Sequence, residues 1–114
     1  MKKAFTLIEL LLSIGLILLL LGAVILLINP GQQVKKARDN KILSTMTKFE
    51  QEILEAKLDT GSFPDSTPPL GVTYVHLNSA YELNATLEYH IIKAQTDGGN
   101  NPAVYELGND LTLL

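Results

Sequence analysis

The apolar positions of this chain follow three patterns in succession. Residues 5–28 read FTLIELLLSIGLILLLLGAVILLI, a block in which Glu9 is the single charged residue. As a helix this run would span roughly 36 Å, enough to cross a hydrocarbon core of about 30 Å. It exceeds the apolar segment of a cleaved secretory signal, about 7–15 residues, and no small-residue cleavage site follows it, so a retained membrane helix is expected. Asn29-Pro30-Gly31 then ends or kinks that helix. Proline has no N–H to donate, its ring crowds the preceding turn, and the residue before it is driven away from α.

From Gln32 to about Thr60 the spacing becomes three and four. Val34, Ala37, Ile42, Met46, Phe49, Ile53 and Ala56 form one stripe, widened by Leu43, Leu54 and Leu58, as an amphipathic helix requires. Lys48 and Glu52 stand four apart on the polar side and support the helix modestly. Thr60-Gly61, with Pro64 beyond, reads as its stop.

After the linker 62–69 the period changes to two. Tyr81, Leu83, Ala85, Leu87, Tyr89 and Ile91 alternate with Glu82, Asn84, Thr86, Glu88 and His90, which predicts a strand over 81–91 with one buried and one wet face. Residues 72–77 precede it across Asn78-Ser79, predicting an antiparallel hairpin. Residues 103–107 form a third candidate strand after the turn-rich Asp97-Gly98-Gly99-Asn100-Asn101. A striped helix and a one-sided sheet each need cover, so the expected fold is α+β: a long N-terminal helix, apolar then amphipathic with a kink near Pro30, packed on a small antiparallel sheet. The segments are 1–4, a short basic start; 5–30, the membrane helix; 31–61, the amphipathic helix; and 62–114, the head. No internal repeat is visible.

Composition narrows the function. The 114 residues contain no cysteine, which excludes disulfides, thiol nucleophiles and cysteine metal sites. The net charge of −3 conceals a gradient: beyond Gly61 stand Asp65, Glu82, Glu88, Asp97, Glu106 and Asp110 against the single base Lys93. Such a head repels nucleic acid and anionic lipid. No phosphate loop, nucleophile elbow or HExxH occurs, and so small a domain has little room for an enclosed pocket, so no enzymatic activity is expected.

The informative stretch is Lys2-Lys3-Ala4-Phe5-Thr6-Leu7-Ile8-Glu9. Two lysines before an apolar run anchor a membrane helix at its cytoplasmic end. A carboxylate inside such a run is costly and marks function, unless it merely snorkels to the nearby interface. Together, Ala4-Phe5-Thr6-Leu7-Ile8-Glu9-Leu10 resembles the processing site of type IV prepilins and of the pseudopilins of type II secretion. The resemblance implies cleavage between Ala4 and Phe5 by a membrane prepilin peptidase, N-methylation of Phe5 by the same enzyme, and retention of Glu9 for assembly. The family usually carries glycine before the cut. Ala4 departs from that, and its small side chain implies processing that survives, more slowly.

The resemblance continues through the kink, the KKARDNK segment and the helix closing at Asp59-Thr60-Gly61-Ser62-Phe63-Pro64, covering about the first sixty-four residues. It implies a helical self-polymer raised from the cytoplasmic membrane by an assembly platform with a cytoplasmic ATPase. The leader would be cytoplasmic, and the product would be a surface pilus or a periplasmic pseudopilus. Where many pilins close the C-terminal region with a disulfide, this chain cannot. Charge counting points the other way on orientation, because Lys35, Lys36, Arg38 and Lys41 beyond the span outnumber Lys2 and Lys3.

Other readings stay open at this stage. A bitopic anchor carrying a binding module would keep residues 1–4. The basic cluster invites DNA uptake, but it lacks interleaved aromatics and Asp39 interrupts it, which disfavours nucleic acid. Asp97, Asn100 and Asp110 offer hard oxygen ligands, and some major pseudopilins hold calcium near the C-terminus. The spacing is not that of an EF-hand, and such residues more often form plain turns. His76 and His90 are expected on strands, without an evident third ligand.

Overall fold

A computed structural model of the chain describes residues 4–114; Met1, Lys2 and Lys3 of the basic start lie outside the described residues. The chain divides into two compact units, one ending at Gln33 and one running from Val34 to Leu114.

The first unit is built on α1 (Leu7–Ile28). None of its residues is buried, and it is long and apolar enough to cross a membrane. It closes at Asn29, whose φ of 52° is left-handed. α2 (Pro30–Thr60) starts at the next residue. Proline suits the first helical position because its missing N–H has no partner there anyway. The freed Asn29 carbonyl accepts from Gln32 N at 3.1 Å and Gln33 N at 3.4 Å.

The second unit packs the body of α2 on a three-stranded antiparallel sheet of order β1 (Val72–His76), β2 (Tyr81–Ala85) and β3 (Tyr105–Gly108). A short α3 (Ile91–Gln95) lies between β2 and β3. The hairpin forms as expected, with Val72 opposite Ala85 and His76 opposite Tyr81. Met46, Phe49 and Ile53 of α2 meet Phe63, Val72, Tyr81, Leu83 and Ala85 in one core, with Ile42, Tyr74, Tyr105 and Leu107 at its edge. Phe49 stands edge-on to Tyr74 with ring centroids 5.3 Å apart. Phe49→Leu keeps most of the volume but removes that aromatic contact, so a loss of about 1–2 kcal/mol is expected. Thermal unfolding of the detergent-solubilised chain should register it as a lowered midpoint; an unchanged midpoint would mean the ring contributes nothing specific.

Five expectations need correction. The strand predicted over 81–91 stops at Ala85, because Val72 and Tyr105, its partners on either side, are themselves strand starts. Beyond it no ladder remains, so the chain turns and residues 91–95 coil into α3. His90 accordingly precedes that helix and is not on a strand. Glu82, expected on a wet face, is fully buried. The third strand begins at Tyr105 because residues 101–104 form a turn, with Val104 N donating to Asn101 O. It ends on Gly108, where any Cβ would strike the Tyr81 carbonyl. Finally, the helix stripe is covered only in its middle: Val34, Ala37, Leu54 and Leu58 are exposed.

Candidate assembly and processing site

The residues singled out near the N-terminus converge on the first turn of α1. Thr6 is extended (φ −78°, ψ 154°) and caps the helix. Its hydroxyl accepts from Glu9 N at 3.3 Å, and the Glu9 carboxylate accepts from Thr6 N at 3.0 Å. This is a reciprocal capping box, which satisfies two amides that the helix geometry orphans. The carboxylate also lies at the positive end of the helix macrodipole. Sequence reasoning passed over Thr6, although Thr-x-x-Glu before an apolar run is the signature of this cap.

Ala4 and Phe5 precede the helix, and both are exposed, Phe5 at 86%. The helix thus begins at Leu7 and leaves the Ala4–Phe5 peptide bond in non-helical, accessible chain. On the far side of Glu9, its carbonyl accepts from Ser13 Oγ at 2.8 Å. Among the described residues the site therefore presents one carboxylate, anchored at the start of a mostly apolar helix none of whose residues is buried.

The basic cluster is partly engaged within the head unit. Arg38 pairs with Glu88 at 3.2 Å, both well exposed, and Lys36 lies 5.9 Å from the Tyr89 ring centroid. Asp39 does more than interrupt the cluster. It is fully buried, and its carboxylate accepts from the backbone N–H groups of Glu88 (2.9 Å), Tyr89 (2.7 Å) and His90 (2.7 Å). Burial works against its ionisation, yet the three N–H donors together with His90 outweigh it and hold the carboxyl below the usual range. The signal was present in the sequence. Stepping back from Met46 by four and then three along the covered stripe lands on Ile42 and then Asp39.

Asp97 and Asp110 of the oxygen-rich loops each hold donors of their own. The Asp97 carboxylate accepts from Gly99 N at 2.9 Å and from Glu106 N at 2.7 Å. Asp110 accepts from both the backbone and hydroxyl of Thr112, and Asn100 lies exposed between them in sequence. Among the described residues no group of three or more His, Asp or Glu side chains is arranged to hold a metal. The histidines have separate partners: His76 Nε2 lies 2.7 Å from Asp65 Oδ1, and His90 gives its backbone N–H to Asp39.

No family model, curated protein or solved structure matches the chain.

Proposed function

We propose that this chain is a type IV pilin-like structural subunit, cut before Phe5, N-methylated there, and polymerised through its apolar helix into a pilus or a related pseudopilus. The observation that carries the reading is the helix start itself: an exposed Ala4–Phe5 bond followed four residues after Phe5 by Glu9, the single carboxylate in a helix with no buried residue. A peptidase needs its scissile bond outside regular helix, and this bond lies there. An apolar helix left exposed along its whole length among the described residues needs lipid or copies of itself as cover, and a subunit stored in the membrane before assembly uses both in turn.

Cleavage would leave a cationic amine on Phe5, about one turn from Glu9. Among stacked apolar helices, the carboxylate of one subunit and the amine of its neighbour would form a charge pair in low dielectric. Such a pair fixes register in an interface that Leu and Ile side chains alone leave free to slide. The small acidic head would then decorate the filament. Pilus and pseudopilus share this logic, and electron microscopy of sheared cell-surface material separates them by length.

Mass spectrometry of the N-terminal peptide from the native cells tests the proposal. A peptide starting at Phe5 with one added methyl group is expected. An intact Met1 start, in cells with an active prepilin peptidase, would overturn it in favour of a bitopic anchor carrying a binding head.

A further inference from the structure

The sheet face turned away from α2 carries a second buried group. Glu82 and Asn84 share that face of β2 by the two-residue period, and the register places Glu106 opposite Asn84 and Gly108 opposite Glu82. Glu106 is therefore diagonal to Glu82, within reach for long side chains. Glu82 and Glu106 are 0% and 2% exposed. One oxygen of each carboxylate fastens a neighbouring segment. Glu82 Oε2 accepts from Leu113 N at 2.7 Å and Leu114 N at 2.9 Å, and Glu106 Oε2 accepts from Asn101 N at 3.0 Å. The other oxygen of each, and Asn84 Oδ1, is buried without a partner among the described residues.

Two ionised carboxylates in such a place would repel one another with little solvent screening, and among the described residues no base is paired with either; the acid–base contacts are Arg38–Glu88 and His76–Asp65. We propose that Glu82 and Glu106 share a single proton between their two otherwise unpartnered Oε1 atoms, making the pair an acid-closed lock on β3 and the C-terminal tail. One proton converts two orphaned acceptors into a donor and an acceptor, the arrangement by which close carboxyl pairs avoid double ionisation.

Packing favours a proton over a metal ion. The groove beside the pair, about 370 Å³, is lined by Glu106, Asp97 and Lys93 and reaches neither Glu82 nor Asn84. The backbone at Gly99 sits so close over the Glu106 carboxylate that a Cβ there would overlap it. The charged groups beside the pair are Asp97, whose carboxylate holds Glu106 N, and Lys93 of α3 across the groove; Asp110, on the tail that Glu82 fastens, is held by Thr112. Burial first, then the charges of Glu82 and Asp97, push the Glu106 carboxyl up, and the Asn101 N–H opposes them without prevailing. With a raised folded value, the native state keeps a proton that the unfolded chain has released. The contribution is whole below the usual glutamate range and is lost as pH rises through the folded value.

Hydrogen exchange read by mass spectrometry on the full chain in detergent tests this, with rates corrected for intrinsic pH dependence and taken between about pH 5 and about pH 8. Protection of residues 105–114 relative to α2 should fall about tenfold or more as pH rises. Glu106→Gln, whose amide can donate to Glu82 permanently, should hold protection level across the range. Infrared spectra should show a protonated carboxyl band in the wild type, above the pH at which exposed acids ionise, and that band should be missing from Glu106→Gln. If the glutamine variant does not fold, the wild-type pH profile and carboxyl band decide alone. A flat wild-type profile, a Glu106→Gln chain that keeps the pH dependence, or protection at the upper pH restored by calcium chloride after chelation would each overturn the shared proton.

Discussion

Asp39→Ala is expected to cost the head about 3–5 kcal/mol, because it removes a buried carboxylate and leaves the N–H groups of Glu88, Tyr89 and His90 facing an apolar methyl. A head of about 80 residues has a total stability of roughly 4–12 kcal/mol, so this one change approaches the whole margin. Hydrogen bonds to an ionised acceptor are the strong ones, and here three converge on one side chain. Circular dichroism melts of the detergent-solubilised chain should show the cooperative transition lowered by roughly 15–30 °C or lost. Asp39→Asn retains an acceptor oxygen and should fall between the two. The pH dependence has a definite sign. Asp39 is held below the usual aspartate range, so its stabilisation is present above that range and is lost as pH falls through the folded value. The wild type should therefore show an acid limb that Asp39→Asn lacks. A variant melting within a few degrees of wild type would show that the 88–90 turn does not depend on this cap.

For the filament subunit proposed above, Glu9→Ala should abolish filaments while leaving cleavage at Phe5 intact. A charge-assisted pair in a low-dielectric helix core is worth about 2–4 kcal/mol per contact. That corresponds to roughly 30- to 1000-fold in affinity at each subunit addition. Alanine also removes the capping box with Thr6, so loss of filaments alone would not separate assembly from helix capping. Glu9→Gln separates them: glutamine serves in the same cap but carries no charge to meet a neighbour's amine. Both variants should give sheared surface fractions without filaments, and both should show the Phe5 N-terminus by mass. Normal filament yield from Glu9→Gln would remove the charge pair from the mechanism and leave Glu9 as a cap only.

The two sites differ in how far they could be read from the chain. Phe5 and Glu9 are legible because a carboxylate within twenty-four otherwise uncharged residues stands out whatever surrounds it. The helix over 32–60 and the hairpin are legible because period 3.6 and period 2 are local properties of one face each. Asp39 was read as a break in a basic surface because its side chain is polar, and only its place three residues before Ile42 marked it as core-facing.

The sequence alone determined a long apolar helix broken at Asn29-Pro30, an amphipathic second helix, an antiparallel hairpin, and a carboxylate four residues after Phe5. Tertiary structure decided the rest. It ended β2 at Ala85, where both neighbouring strands begin, although the alternation runs on to Ile91. It turned Asp39 into the cap of a distant turn, and it buried Glu82 and Glu106 under the Asn101 turn and the C-terminal tail, giving the sheet two covered faces. The physical reason is common to all three. Periodicity reports which residues share a face, whereas burial depends on whether a second layer arrives to cover that face, and the covering backbone here stands about fifty positions from Asp39, about thirty from Glu82 and five from Glu106.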